Sequence, residues 1–374
     1  MAWANKLRSR LDGILNYCQI KVKLGVVQAD NENIKSAVGS ATVCHENQIR
    51  RFPQSCIKLG HSRVLTTNQN MVLSPTGELL DTFRKGQMYS FCPVCDGANL
   101  KRIWVVNGYA IAKCSTCSLI FVQNQVTTEE LSAHYAKDAN EAYTDHVYEE
   151  ANAECLNYYY LKLGNLIRSR FPQPGKLLDI GCSRGWFLDV MSGWECHGNE
   201  IVAPDALAAR KHHGDRIVTG TFEDYPIREN YFDVITMQDV FDHMRDPMQA
   251  LEKCHRMLRP GGLIVIKVHN ISCLYAKLTG QNFYAVIPPS HLFYYDASTL
   301  DRVLSKSGFQ VVGSKFIGHL LKISTIFFRL SRDNVNSLAY RIYRILSGTA
   351  LGEFKVHKNL HDLITVLAEK PLSV

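Results

Sequence analysis

Between residues 176 and 315, short apolar strands alternate with helical segments, and this alternation constrains the fold more than any other feature of the chain. The strand patterns are KLLDI, WECHGNEIV, DRIVTG, YFDVITMQDV, GLIVIKV and FQVVGSKFI, with HDLITVLAEK following near the end. Continuously apolar strands are covered by helices on both faces. The sequence therefore predicts an α/β fold with a doubly wound, seven-stranded, mainly parallel sheet, whose ligands bind beyond the carboxyl ends of the strands.

The composition is that of a globular protein of two or three structural units, with 374 residues of which 46% are hydrophobic and 21% charged. Its longest apolar runs fall far short of the roughly 20 residues that cross a bilayer. The N-terminal segment is interrupted by charges and lacks the pattern of a signal peptide. Twelve cysteines without an export signal indicate a reducing compartment, so we expect a cytoplasmic protein.

Four of the cysteines form two C-x-x-C pairs, Cys92 with Cys95 and Cys114 with Cys117. Paired knuckles at this spacing are typical of a zinc ribbon, in which four thiolates bind one tetrahedral ion. Asn-Gly lies between the pairs and predicts a hairpin turn there. Because all four ligand positions are cysteine, the predicted zinc is structural. The other eight cysteines show no pairing pattern and are predicted to pack in the interior.

The segment LLDIGCSRGWFLDVM predicts a strand, a tight turn and a helix. Its turn has the pattern Asp179-x-Gly181-x-Ser183-x-Gly185, which is neither a dinucleotide fingerprint nor a phosphate-binding loop. Glu200 ends the next predicted strand, 21 positions after Asp179 in the sequence. At about that spacing, an acidic residue accepts hydrogen bonds from ribose hydroxyls. The turn and the acid together predict a site for a nucleoside ligand whose centre is not a pyrophosphate.

These residues resemble those of the class I S-adenosylmethionine-dependent methyltransferases, which have a Rossmann-like sheet. The resemblance continues through GTFEDYPIRENYFDVITMQDVFDHMRDPMQALEKCHRMLRPGGLIVI and covers roughly residues 155–315 and the last strand. Ser183 replaces the middle glycine of the family's loop and is small enough to keep the turn open. A zinc ribbon followed by an aromatic helix also resembles a subgroup of these enzymes found in small-molecule and saccharide pathways.

The resemblance implies a set of cofactor contacts. Asp179 would meet the cofactor's ammonium, and Glu200 would bind its ribose. The turn would approach the methionine moiety, residues after the third strand would contact adenine, and the end of the fourth strand would line the pocket. The implied cofactor-binding residues are Asp179, Gly181, Ser183, Gly185, Glu200, Phe222, Glu223 and Gln238. Alternatively, the aspartate caps backbone amides and the glycines serve the turn alone.

Two histidines are candidate bases for removing a proton from the acceptor, His291 and His243. His291 lies on a loop after two prolines and before three aromatic residues, Phe293, Tyr294 and Tyr295, which we expect near the mouth of the site. The alternative is a packed loop histidine that caps the following helix.

Asp239-x-x-Asp242-His243 resembles the E-x-x-E-H cluster that holds a divalent cation in quinone-pathway O-methyltransferases. Two carboxylates and an imidazole suit an ion like magnesium that bridges vicinal oxygens of a substrate. Both glutamates are shortened to aspartate here. A structural role at a helix start is the other interpretation.

Two basic segments flank an acidic middle. Residues 1–90 hold twelve Lys/Arg and six Asp/Glu, and residues 315–358 hold eight and two. Solvated basic faces are the simpler interpretation, and contact with anionic lipid, polysaccharide or nucleic acid is the other. LLKISTIFFRL and LAYRIYRIL predict amphipathic helices, for which capping the active site is favoured over a peripheral membrane contact.

We divide the chain into five regions and leave the oligomeric state open. They are an unassigned region 1–88, a zinc ribbon 89–125, a helical cover 126–172, a methyltransferase domain 173–317 with 359–374, and a helical insertion 318–358. The predicted function is methyl transfer from S-adenosylmethionine to an oxygen or carbon of a small molecule, either a sugar or a secondary-metabolite intermediate. The alternatives are an RNA methyltransferase, to which the sparse basic residues of the ribbon are ill suited, and a catalytically silent cofactor-binding scaffold.

Overall fold

The seven strands of the central sheet follow the chain in the order that the apolar strand patterns predict. The structure, a computed structural model, describes residues 72–73, 79–80, 87–127, 130–131, 153–331 and 334–372. Most of the region 1–88 therefore lies outside the described residues. The strands are β1 (Val72–Leu73), β2 (Leu79–Leu80), β3 (Leu100–Val106), β4 (Tyr109–Cys114), β5 (Ile120–Val122), β6 (Lys176–Ile180), β7 (Glu195–Glu200), β8 (Ile217–Thr219), β9 (Phe232–Gln238), β10 (Leu258–His269), β11 (Phe293–Tyr294), β12 (Gln310–Lys315), β13 (His319–Lys322), β14 (Lys355–Lys358) and β15 (Leu363–Glu369). The helices are α1 (Ala153–Arg170), α2 (Trp186–Val190), α3 (Ala203–His213), α4 (Pro247–Met257), α5 (Leu274–Thr279), α6 (Ala297–Lys306), α7 (Ile323–Ser331), α8 (Leu338–Leu346) and α9 (Ala350–Glu353).

A seven-stranded sheet forms the centre of the molecule, in the order β12-β15-β10-β9-β6-β7-β8. Strands β6 to β10 pair in parallel, and only β15 runs against its neighbours β10 and β12. The strand order reverses between β6 and β9, so the carboxyl ends of these two strands flank the point where ligands bind in such sheets. This confirms the predicted doubly wound, mainly parallel Rossmann-like sheet.

Helix α1 shows why the segment before β6 is helical. Tyr159, Leu163 and Ile167 recur every four residues and are buried together against the sheet, so one apolar face of the helix packs inward. Helices α4 and α6 start at the aspartates Asp246 and Asp296, whose side chains accept the free backbone N–H of the first turn. Within the described part of the chain, no helix is both long and apolar enough to cross a membrane.

A second sheet, in the order β11-β5-β4-β3, carries the cysteine pairs. Strands β3 and β4 meet at the two-residue turn Asn107–Gly108, where both residues have positive φ, as the hairpin prediction required. The fourth strand, β11, lies far from the other three in the sequence and pairs with β5. Residues of this sheet and of the large sheet share one hydrophobic core.

The segment between β12 and β15 combines helices with a two-stranded sheet. LLKISTIFFRL was expected to be one helix, but its first residues belong to β13, which pairs with β14. That part of the prediction is wrong, because a strand partner more than thirty residues away is invisible to local periodicity. The predicted helix LAYRIYRIL is confirmed as α8.

Candidate active site

The turn between β6 and α2 is shaped for close approach of a ligand to the backbone. Gly181, Ser183 and Gly185 all have positive φ, at 71°, 46° and 84°. A Cβ on Gly181 would lie 2.3 Å from Cγ2 of Val240, so glycine is required there by space as well as by conformation. Ser183 takes the left-handed conformation that the glycine of the related pattern adopts freely.

Asp179 lies just before this turn, near the carboxyl end of β6, and is almost fully buried. Its Oδ1 accepts hydrogen bonds from Thr236 Oγ1 at 2.5 Å and from Gln238 Nε2 at 3.4 Å. Burial nevertheless raises the pKa of Asp179 to about 7. A cation placed beside this carboxyl would stabilise its charged form, so the geometry suits the ammonium group that the sequence prediction assigned to it.

Glu200 ends β7 and holds the turn in place. Its Oε2 accepts the backbone N–H of Ser183 at 2.8 Å, and its Oε1 accepts that of Val202 at the same distance. Burial raises the pKa of Glu200, while the two backbone donors act in the opposite direction. The predicted ribose contact therefore belongs to a carboxylate that also fixes the backbone of the cofactor turn.

Phe222 and Glu223, the predicted adenine contacts, follow β8. The backbone carbonyls of both residues accept hydrogen bonds from Lys253 Nζ, at 2.7 and 2.8 Å. They border a cleft of about 350 Å³ whose other wall is helix α4. None of Asp179, Glu200 and the glycines lines this cleft, so it extends away from the turn.

A cluster of imidazoles surrounds Asp242 just beyond the carboxyl end of β9. Asp242 Oδ2 lies 3.2 Å from His269 Nδ1 and 3.6 Å from His291 Nδ1, and its Oδ1 lies 3.8 Å from His243 Nε2. Burial would raise the pKa of Asp242, but the three imidazoles hold that pKa below its ordinary value. The structure thus brings both predicted bases, His243 and His291, onto one carboxylate.

The two candidate bases differ in their surroundings. Burial lowers the pKa of His291 to about 4, although Asp242 acts against that shift, so its ring is neutral at physiological pH. Its side chain is 8% exposed, against 23% for His243. The rings pack with centroids 4.4 Å apart. His291 is therefore the more desolvated base and His243 the more accessible one.

The predicted magnesium cluster is rearranged. Asp239 is not part of the group of ligand atoms that converges on Asp242, and its Oδ2 accepts a 2.5 Å hydrogen bond from Lys267 Nζ. The atoms that come within 4.8 Å of one another belong instead to Asp242, His269 and His291. Two imidazoles and one carboxylate are typical ligands of a transition metal rather than of magnesium, so the donor set does not fit the ion that the sequence suggested.

The loop that carries His291 is held by the cysteine-bearing sheet. β11 begins two residues after His291 and pairs with β5, and Val122 N–H donates to the carbonyl of Leu292 at 2.8 Å. Asn107 Nδ2, from the hairpin turn, donates to the carbonyl of Pro288 at 3.1 Å. The aromatic residues that follow were expected at the mouth of the site, but Phe293, Tyr294 and Tyr295 are buried. Phe293 and Tyr294 are buried because β11 pairs with β5. Tyr294 Oη also donates a hydrogen bond to the carbonyl of His291.

The four cysteines of the two knuckles converge as a zinc ribbon requires. Cys92 Sγ lies 3.6 Å from Cys117 Sγ, and Cys95 Sγ lies 3.6 Å from Cys114 Sγ. All four sulfurs lie within 4.8 Å of one another, as four thiolates around one tetrahedral ion do. The arrangement is compatible with a structural zinc.

His269 and Lys267 are the site residues that sequence reasoning missed. Both occupy the carboxyl end of β10, the strand next to β9, so the rule that located Gln238 applied equally to them. Lys267 is buried, with Nζ 4.4 Å from the ring centroid of Tyr159. The apolar pattern of GLIVIKVHN predicts the strand but does not by itself mark the polar residues at its end as site residues.

Comparison with known proteins identifies a methyltransferase domain in this chain. Residues 152–314 match the profile of a family described as a methyltransferase domain. A ubiquinone biosynthesis O-methyltransferase of Cereibacter sphaeroides is 33% identical over 105 residues, covering 25% of this chain and 41% of that protein. One of the same name from Aliivibrio fischeri is 26% identical over 155 residues, covering 37% and 65%. The chain thus spans about half the length of the curated relatives it matches.

Solved structures resemble the chain at low sequence identity. A methyltransferase of Burkholderia thailandensis with bound 1,6-didemethyltoxoflavin and S-adenosylhomocysteine aligns with a TM-score of 0.42 at 16% identity, covering 72% of this chain and 99% of that one. An S-adenosylmethionine-dependent methyltransferase of Archaeoglobus fulgidus aligns with a TM-score of 0.38 at 21% identity, covering 56% and 94%.

Proposed function

Because residues 152–314 match the profile of a methyltransferase domain, we propose that the chain transfers a methyl group from S-adenosylmethionine to an oxygen or carbon of a small-molecule acceptor. The acceptor class that we infer is a sugar or a secondary-metabolite intermediate. The names of the ubiquinone biosynthesis relatives favour oxygen as the acceptor atom.

One observation carries the proposal: the cofactor turn and the imidazole cluster meet at one edge of the sheet. Gln238 contacts Asp179 and ends β9, and the chain reaches Asp242 four residues later. A cofactor held by Asp179, Glu200 and the glycine turn would therefore present its methyl group toward the imidazoles. When bound, S-adenosylmethionine supplies an activated methyl on a sulfonium.

The residues of the chain have two tasks, alignment and proton removal. The turn and Glu200 would hold the cofactor at one end of the site, and the loop that carries His291 would form the other end, where the methyl acceptor binds. We infer that His291 accepts the acceptor's proton and that Asp242, 3.6 Å away, stabilises the resulting imidazolium. His243, packed on His291, is the second candidate for this role. We propose a structural zinc at the four cysteines, which supports the sheet that holds the His291 loop and takes no direct part in the chemistry of methyl transfer.

Label transfer from methyl-labelled S-adenosylmethionine tests the function. The full chain is incubated with a small-molecule extract and, separately, with total RNA, and a Gly181→Val variant serves as the control without a functional turn. We expect label in the small-molecule fraction only. Label in RNA would favour the nucleic-acid alternative, and cofactor binding without any transfer would favour the silent scaffold.

A further inference from the structure

Helices α7, α8 and α9, which lie between β12 and β15, bury few residues, and the buried ones are small or polar. The buried residues of α7 are Ser324, Thr325 and Ser331, α8 has none, and α9 buries only Gly352. Helix α6, by contrast, buries Leu300, Val303 and Leu304, as a helix of the protein core does. The large apolar side chains of α7, α8 and α9 are thus half-buried or exposed, and none of them is fully buried.

These exposed apolar residues are numerous and close in sequence. Five of them are at least 60% exposed, with fractions from 60% to 73%, namely Leu330, Leu338, Ile345, Leu351 and Phe354. We call these five residues the insertion face; four of them lie on helices α7, α8 and α9, which pack on one another, and Phe354 directly follows α9. Scattered apolar residues on a surface need no explanation, but a dense group of this size indicates an interaction site.

Basic residues accompany the apolar ones. On α8, Leu338, Arg341 and Ile345 follow one another at helical spacing on a single side, and Arg344 lies beside them. All four are exposed. Over residues 315–358 the excess is eight Lys/Arg over two Asp/Glu, and Glu353 is paired with Lys322 at 2.7 Å. Short amphipathic helices with exposed apolar and arginine residues are typical of proteins that lie on a membrane surface.

We propose that the insertion face binds the surface of an anionic lipid bilayer, with its apolar side chains at the acyl boundary and the arginines of α8 at the headgroups. Charge favours this partner over two others, a second copy of the chain and the chain's own residues 1–90. A second copy would bring an equally basic face against the first. The N-terminal residues 1–90 also carry twice as many Lys/Arg as Asp/Glu, so they would be repelled as well. An anionic surface is complementary to both basic segments.

Vesicle flotation of the full chain tests the proposal. We expect the protein to float with vesicles that contain phosphatidylglycerol and to stay behind with pure phosphatidylcholine vesicles. Raising the salt concentration should release it, because the attraction to headgroups is screened within about one Debye length. Equal binding to both vesicle types, or no binding to either, would overturn the proposal.

Two pairs of substitutions locate the face. Arg341→Gln with Arg344→Gln should weaken binding to the anionic vesicles more than tenfold, at about fivefold for each basic residue removed. Leu338→Ser with Ile345→Ser should also weaken it more than tenfold. The matched control is Leu207→Ser with Lys211→Gln, an exposed pair on α3 far along the chain. Thermal melting verifies that each variant is folded.

The other possible occupants give distinct results. If the control pair loses binding as much as the insertion pairs, the attraction is a property of net charge and the proposal fails. If the full chain dimerises without vesicles and Leu338→Ser with Ile345→Ser restores the monomer, the face is a contact between copies. The proposal concerns binding alone and does not depend on methyl transfer, so it stands or falls separately from the proposed function.

Discussion

Asp242 Oδ2 lies 3.6 Å from Nδ1 of His291, although the two residues are far apart in the sequence. Asp242 follows β9, whereas His291 lies on the loop before β11, beyond β10 and α5. The His291 Nδ1 and Asp242 Oδ1 atoms are buried, and the described residues provide neither with a hydrogen-bond partner. Buried polar atoms without partners are costly in a structure that has no use for them. Here they lie at the edge where the methyl group would emerge.

His291→Ala should lower turnover by roughly 10²–10⁴-fold and leave the affinity for S-adenosylhomocysteine nearly unchanged, as expected for loss of a general base. Turnover is measured with the acceptor identified by label transfer, in parallel with calorimetric binding of S-adenosylhomocysteine. His243→Ala should mainly lower the melting temperature. If His291→Ala turns over normally and His243→Ala does not, the accessible ring is the base.

A chelator added to the same assay decides whether a bound cation takes part. We expect turnover to be unchanged, because Asp239 is paired with Lys267 and the remaining donors do not fit magnesium. Loss of turnover on chelation, restored by a divalent ion while the four-cysteine zinc stays bound, would contradict this.

The zinc ribbon should influence the acceptor end of the site and not the cofactor end. The protein should contain one zinc per chain, and Cys92→Ser should lose it. Because β5 pairs with β11 next to His291, we expect this variant to lose turnover while it still binds S-adenosylhomocysteine. Cys155→Ser, a buried cysteine outside the knuckles, should keep both zinc and turnover. Zinc content and binding are measured on the same preparations, and loss of cofactor binding in Cys92→Ser would contradict a local role.

Asn107 offers a milder test of the same connection. Asn107→Ala removes the hydrogen bond to the carbonyl of Pro288 without touching a cysteine. We expect zinc to be retained and kcat to fall a few-fold, because the loop is less firmly placed. Glycine adopts a positive φ without strain, so Asn107→Gly removes the hydrogen bond and leaves the turn unstrained. If the side chain of Asn107 places the loop, Asn107→Gly should lower kcat as much as Asn107→Ala does.

Glu200→Gln should weaken S-adenosylhomocysteine binding by roughly 1–3 kcal/mol, the usual cost of losing a charged hydrogen-bond partner. Glutamine keeps one acceptor for the backbone of Ser183 or Val202, so the melting temperature of the ligand-free protein should fall less than in Glu200→Ala. Calorimetry and thermal melting provide the two numbers. An unchanged affinity in both variants would show that the ribose lies elsewhere.

The parts of the site that were predictable are those encoded by local spacing. The cysteine knuckles, the Asn107–Gly108 hairpin and the glycine turn each lie within a short segment, whose geometry follows from the residue types. The imidazole cluster was only half predictable. Joining His269 and His291 to Asp242 requires the strand order and the path of a long loop, which periodicity does not encode.

The same limit explains the errors at β11 and β13. Phe293 and Tyr294 form a strand only because β5 is there to pair with them, and His319–Lys322 because β14 returns beside it. Strand propensity depends on such neighbours more than helix propensity does. The shallow burial of α7, α8 and α9 is likewise a property of packing that their amphipathic sequences left open.

The central claim, that the turn after β6 binds the cofactor with Asp179 facing its ammonium, is tested most directly by the pH dependence of S-adenosylhomocysteine binding. Burial raises the pKa of Asp179 to about 7, so in the ligand-free protein its carboxyl is mostly protonated at pH 6 and mostly ionised at pH 8. The ligand-free fold loses the stability contributed by the protonated Asp179 carboxyl as the pH rises from its ordinary pKa through about 7, and a bound ammonium would compensate for the buried charge. We predict one ligand per chain by calorimetry, with an affinity that rises about tenfold from pH 6 to pH 8 in the unmodified protein. The rise should be absent in Asp179→Asn and kept in Asp215→Asn, a change at an exposed acid outside the turn. No binding at all, or the same pH profile in Asp179→Asn as in the unmodified chain, would contradict the account.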